Sequence, residues 1–286
     1  MDIDGDGITD LFSGSFSVSG ADAGHFWILR GRPDGSFSPA ESLQGTDGVP
    51  LVIHGREGSS PDRTTCTRPT ALDVDGDGDL DIVTGNAEGT FHLFEGLGKG
   101  RFQPTSTPLL DRSGVEISVV HHSDPVFVDW DDDGDLDLVS GSTIGVHLFT
   151  NVGGGGAPVF ADRRDLFRYA GSQEYFGPEL RFGDAHITEP QGSIRLWIDD
   201  VNGDGRFDLV LGDHCYTVSR PGEGLTEAEA RAKLAAWEQR MAELEARYAE
   251  EPTDELVAEL TAHDAARSRI VQKGAGSVWV AYQESP

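Results

Sequence analysis

Four nine-residue segments carry oxygen ligands at a spacing that suits one hard cation each. They hold Asp2, Asp4, Asp6 and Asp10; Asp73, Asp75, Asp77 and Asp81; Asp129, Asp131, Asp133 and Asp137; and Asp200, Asn202, Asp204 and Asp208. Side chains at positions one, three and five converge when the backbone turns tightly, and glycine at position six permits that turn because it tolerates positive φ. Position seven, occupied by Ile8, Asp79, Asp135 and Arg206, would supply a backbone carbonyl. Position nine would close the shell from the start of the next strand. A cation taking about six to eight oxygen ligands is Ca²⁺. Up to four Ca²⁺ ions are therefore expected. Without a cation, three or four carboxylates within a few ångströms repel one another.

The loops are not of the helix-flanked kind, which places a glutamate at position twelve. Those positions are Ser13, Thr84, Ser140 and Leu211. The elements around the loops read as strands. Each loop runs into a short apolar stretch ending in glycine, at Gly14, Gly85, Gly141 and Gly212. A second glycine then precedes alternating apolar residues, as in Gly89 to Phe94 and Gly145 to Phe149. Apolar lead-ins, such as Val126 to Val128, precede three of the loops. A fourth strand is suggested around Phe37, Phe102 and Phe160.

Four such units predict an all-β fold, a β-propeller with four recognisable blades at about 1–66, 67–121, 122–190 and 191–286. The last blade holds an insertion. Leu234, Trp237, Met241, Leu244 and Tyr248 share one helical face, Thr226 with Glu229 forms a capping box, and Pro252 ends the helix. Thr253 opens a second helix carrying Leu256, Leu260 and Ile270. An inserted α-helical hairpin is expected over 225–272.

The formal net charge is −28, which disfavours nucleic acid and anionic membranes as partners. No apolar run is long enough to span a membrane as a helix. The opening Met1-Asp2-Ile3-Asp4 does not read as a signal peptide. Cys66 and Cys215 lack zinc spacing, and sequence does not place them within bonding distance.

The motif Asp-x-Asp-x-Asp-Gly-x-x-Asp, followed by Leu or Ile, Val, any residue and Gly, resembles the FG-GAP and VCBS repeats, whose calcium loops also occur in the propellers of integrin α-subunits. The resemblance spans almost the whole chain outside the helical insertion. It implies the same ligand positions, a calcium-bearing propeller, and export to the periplasm, cell surface or medium, as in the secreted VCBS-repeat proteins of bacteria. The chain departs from it in showing four units rather than seven. Its two ends do not complete one blade, so either an incomplete N-terminus with a lost signal peptide or a compact four-bladed ring is expected.

Outside the loops, Arg68, His122, Asp124, Asp184 and His186 precede successive lead-in strands and could line one ligand-binding funnel. No GxSxG motif is present. Two functional readings follow. One is a non-enzymatic binding or adhesion module for a glycan or protein, with calcium structural. The other is a calcium-dependent polysaccharide-degrading enzyme of the lyase type.

Overall fold

A computed structural model describes residues 1–17, 20–54, 61–153, 156–168, 181–183, 185, 187–190, 194–213, 218–273 and 276–283. The chain divides into two compact units. The first comprises Met1–Ala170, Gly192–Gly212 and Val278–Pro286, and the second Gly171–Gln191 and Asp213–Ser277.

The first unit contains four antiparallel sheets in chain order. Sheet one is β1 (Leu11–Ser13), β2 (Trp27–Leu29) and β3 (Glu41–Ser42). Sheet two is β4 (Arg68–Leu72), β5 (Asp81–Gly85), β6 (Phe91–Phe94) and β7 (Thr107–Pro108). Sheet three is β8 (Asp124–Val128), β9 (Asp137–Gly141), β10 (Gly145–Phe149) and β11 (Arg164–Arg168). The chain then alternates between units. β12 (Arg181–Phe182) belongs to the second unit, while β13 (Arg195–Asp199) and β14 (Asp208–Gly212) open sheet four. β15 (Val218–Pro221) and β16 (Val271–Lys273) join β12, and β17 (Val278–Ala281) completes sheet four beside β14.

The central strands of sheets two and three carry apolar residues on both sides, and both of those faces are covered. β5 and β9 are buried at every residue. One side of sheet two packs Ile82 and Phe94 against Phe26 and Ile28 of sheet one. The other side packs Val83 and Phe91 against Leu138 and Phe149 of sheet three. The glycines ending β5 and β9 have a packing reason. A methyl group on Gly85 or Gly141 would overlap the carbonyl of Ser123 or press on that of Ile194 in the next sheet. At the same point a side-chain and a backbone hydrogen bond latch the two sheets together. Asn86 N–H donates to Ser123 Oγ at 2.8 Å, and Ser123 N–H donates to Asn86 O at 3.1 Å.

The second unit is built on helices α1 (Glu227–Glu250) and α2 (Asp254–Ala266), both within the stretch that sequence periodicity marks as helical. Thr226 and Glu229 form the capping box, and Thr253 Oγ1 caps α2. Leu234, Ala230, Phe182 and Val271 make its core. Trp237 and His263 stack at 5.3 Å and exchange hydrogen bonds through each other's backbone carbonyls.

The expectation of an all-β propeller is therefore corrected. Helices of 24 and 13 residues, with their own sheet and core, make up much of a separate unit. Among the described residues no sheet closes on itself, and no apolar cluster joins sheet four to sheet one. The physical reason is that the 213–277 stretch buries an apolar core of its own rather than adding strands to sheet four. Sheets one and four have three strands each, not four.

Candidate metal centres

Each acidic loop is held by the same short-range hydrogen bonds. The position-six N–H donates to the position-one aspartate, from Gly7 to Asp2 at 2.8 Å, Gly78 to Asp73 at 3.0 Å, Gly134 to Asp129 at 3.0 Å and Gly205 to Asp200 at 2.8 Å. The position-seven N–H donates to the position-five aspartate, from Ile8 to Asp6, Asp79 to Asp77, Asp135 to Asp133 and Arg206 to Asp204, at 2.8–3.0 Å. The ring needs positive φ at position four as well as six. Gly5, Gly76 and Gly203 supply it, and Asp132 takes the same conformation at φ 60°.

The side chains converge as an ion requires. Carboxylate oxygens of Asp2, Asp4 and Asp6 lie within 4.8 Å of one another, as do those of Asp73, Asp75 and Asp81 and those of Asp129, Asp131 and Asp133. Ligands on opposite sides of a Ca²⁺ ion stand about 4.6–5.2 Å apart, so these three clusters could coordinate one divalent ion each. In the fourth loop the amide of Asn202 replaces a carboxylate and its Nδ2 points at Asp204 Oδ2, 3.4 Å away. That loop brings fewer charges to its centre.

The position-nine aspartates do more than sequence suggests. All four are buried. One oxygen of each accepts the position-two N–H, from Ile3 to Asp10, Val74 to Asp81, Trp130 to Asp137 and Val201 to Asp208, at 2.9–3.1 Å. The other accepts a distant N–H, from Gly31, Gly96, Asn151 or Gln283, at 2.7–3.0 Å. Each therefore ties its loop to the far end of a later strand. Burial pushes the Asp81 and Asp137 carboxyls up; the two backbone donors oppose this, and the neighbouring loop carboxylates reinforce it. A bound cation would relieve that repulsion. The first loop already has a partial substitute, since Arg30 Nη1 lies 2.9 Å from Asp4 and 3.8 Å from Asp10. Sequence reasoning passed over Arg30.

The proposed funnel falls only in part among the described residues. Arg68 Nη1 donates to His122 O at 2.7 Å, and Asp124 accepts the Leu196 N–H at 3.2 Å. Burial lowers Arg68 to about 10, with the Arg195 charge adding to the effect, while burial raises Asp124 against the pull of Arg195 and Arg68. These groups satisfy backbone between neighbouring sheets. Asp184 and His186 lie outside the described residues, as does Cys215; Cys66 is buried.

Sequence inspection also missed a relay in sheet three. Ser142 Oγ stands 2.8 Å from His147 Nε2, and His147 Nδ1 stands 2.7 Å from Asp165 Oδ1. Its signal is the alternation that sets His147 across from Ser140. Ser142 and His147 are fully buried, and Ser142 Oγ also takes the Ile144 N–H. Burial lowers the His147 pKa, and Asp165 opposes this. On the surface, Asp111, Glu116, Ser118, Asp162 and Arg163 line a polar cleft of about 310 Å³ over Ile117, Phe149 and Ala161.

No helix among the described residues is long and apolar enough to cross a membrane. No curated protein matches the chain. Among solved structures, an Agrocybe aegerita lectin described as recognising non-reducing terminal N-acetylglucosamine is similar at 19% identity and a TM-score of 0.39. The match covers 74% of this chain and 45% of the lectin's, so the chain spans less than half of that structure. The family model of the FG-GAP-like repeat matches residues 73–140, the stretch from the second acidic loop through the third and into β9, and the chain thus contains an FG-GAP-like repeat.

Proposed function

We propose that this chain is a calcium-binding repeat module of the extracellular or periplasmic space, with calcium holding its loops and its surface binding a glycan or protein. The observation that carries the reading is the repeated cage: three loops gather carboxylate oxygens within 4.8 Å, and the fourth shares their hydrogen bonds. Most carboxylates of the clusters are half-buried or exposed, and the expected dissociation constants are those of extracellular modules, about 10⁻⁴–10⁻³ M. Titration calorimetry on the metal-free protein tests this. Calcium should bind at several sites in that range, with Mg²⁺ far weaker. Nanomolar binding would point to a cytosolic buffer instead, and no binding would remove the reading.

The partner is proposed to be a neutral, hydroxyl-rich or protein ligand, because a net charge of −28 repels anions. The 310 Å³ cleft offers three carboxylate acceptors and one guanidinium donor to such a ligand. The enclosure of Ser142 and His147 favours a non-catalytic role.

A further inference from the structure

Every contact between neighbouring sheets of the first unit uses the same two faces. The leading face of one sheet packs on the trailing face of the next. Strand register makes the equivalence positional. Gly85 pairs with Phe91, Gly141 with Val146 and Gly212 with Val278. Val83 pairs with Leu93, Val139 with Leu148 and Val210 with Val280. Val278 and Val280 therefore stand where sheets two and three place leading-face residues. Trp197, across from Val210, stands where Val126 does.

The burial differs sharply. Phe91 and Val146 are 0% exposed, whereas Val278 is 76% and Trp197 63% exposed. The residue at loop position two follows suit, buried as Ile3 and Val74 but exposed as Val201. The opposite end shows the complement. On the trailing faces Ile82 and Leu138 are 0% exposed, and their counterpart Leu11 in sheet one is 48% exposed. Phe37 is exposed where Phe102 and Phe160 are buried. Among its described residues the first unit thus carries both halves of its own internal interface, one at each end of the sheet series, and itself covers neither.

We propose that the chain associates head to tail with a second copy of itself, the leading face of sheet four packing on the trailing face of sheet one of the next copy. The partner is a copy because the two uncovered faces are the two sides of one contact that the chain already makes three times. Such a contact is heterologous, so it propagates to a ring or a short stack rather than stopping at a two-fold dimer. The charge of −28 opposes it, and bound divalent ions and salt should favour it.

Sedimentation velocity on the full chain in calcium, at concentrations reaching roughly 0.1 mM where a micromolar contact is saturated, tests the proposal. Val278→Glu blocks the leading face and Leu11→Glu the trailing face. Both side chains are exposed, and circular dichroism checks that the variants fold. Trp197→Glu and Phe37→Glu replace any that do not. The wild type should assemble, each variant alone should remain monomeric, and an equimolar mixture should give a one-to-one dimer through the remaining intact pair of faces. A wild type that stays monomeric overturns the proposal. So does a folded variant that self-associates like the wild type, or a mixture that remains monomeric.

Discussion

The two compact units hold their local backbone by opposite electrostatic means. In the first, like charges are gathered: each acidic loop turns its aspartates inward onto its own N–H groups, and Asp81 and Asp137 feel their neighbours as repulsion. In the second, charges alternate in sign. Arg231 meets Glu227, and Arg240 bridges Glu243 on its own helix and Glu259 on the other, at 2.7–3.0 Å. The helix ends are closed by Thr226 and Thr253. The second unit pairs acids with arginines of its own, whereas three loops of the first gather carboxylates that could coordinate a divalent ion. The same residue type thus meets cationic side chains of the chain in one region and, in the other, gathers where an external cation could sit.

Chelation should separate the units most clearly. Each occupied site adds about 2.7 kcal/mol at a hundredfold excess of ligand over its dissociation constant. Removing calcium should lower the melting temperature of the β signal by on the order of 10 °C. The helical signal should be far less affected. Calorimetry with circular dichroism at two wavelengths reads both, and a common shift in both signals would break the comparison.

Within the first unit, Asp137→Ala should cost about 2–5 kcal/mol even without calcium, because it strands the buried N–H groups of Trp130 and Asn151. Asp131→Ala removes only a loop carboxylate. It should change metal-free stability by no more than about 0.5 kcal/mol while reducing the calcium response by one site. Urea titrations with and without calcium distinguish the two roles, and equal costs for both variants would erase the distinction between tie and ligand.

In the second unit, Thr226→Ala should cost about 1 kcal/mol by opening the capping box, irrespective of calcium. A calcium-dependent cost would mean that the units share their electrostatics. The smallest effect is expected at Asp132→Gly. That change relieves a side chain held at φ 60° and removes one negative charge from the third loop, a gain of about 0.5 kcal/mol in thermal unfolding. Destabilisation there would show that the Asp132 side chain supports the loop.

The sequence alone determined the acidic rings, the glycine-ended strands and the helical pair. All three are local. The ring hydrogen bonds span two to five residues, as from Gly7 to Asp2, and the capping box spans three. Only the tertiary structure decided how the position-nine aspartates are used, since Asp208 meets Gln283 across 75 residues and Asp10 meets Gly31 across 21. It also decided that buried Ser142 and His147 meet surface Asp165, and that the 213–277 stretch belongs to a separate unit. The apolar pattern of β17 matches that of β6 and β10, yet Val278 is exposed while Phe91 and Val146 are buried. Period-two alternation fixes which side of a strand a residue faces. Whether another sheet covers that side depends on long-range packing.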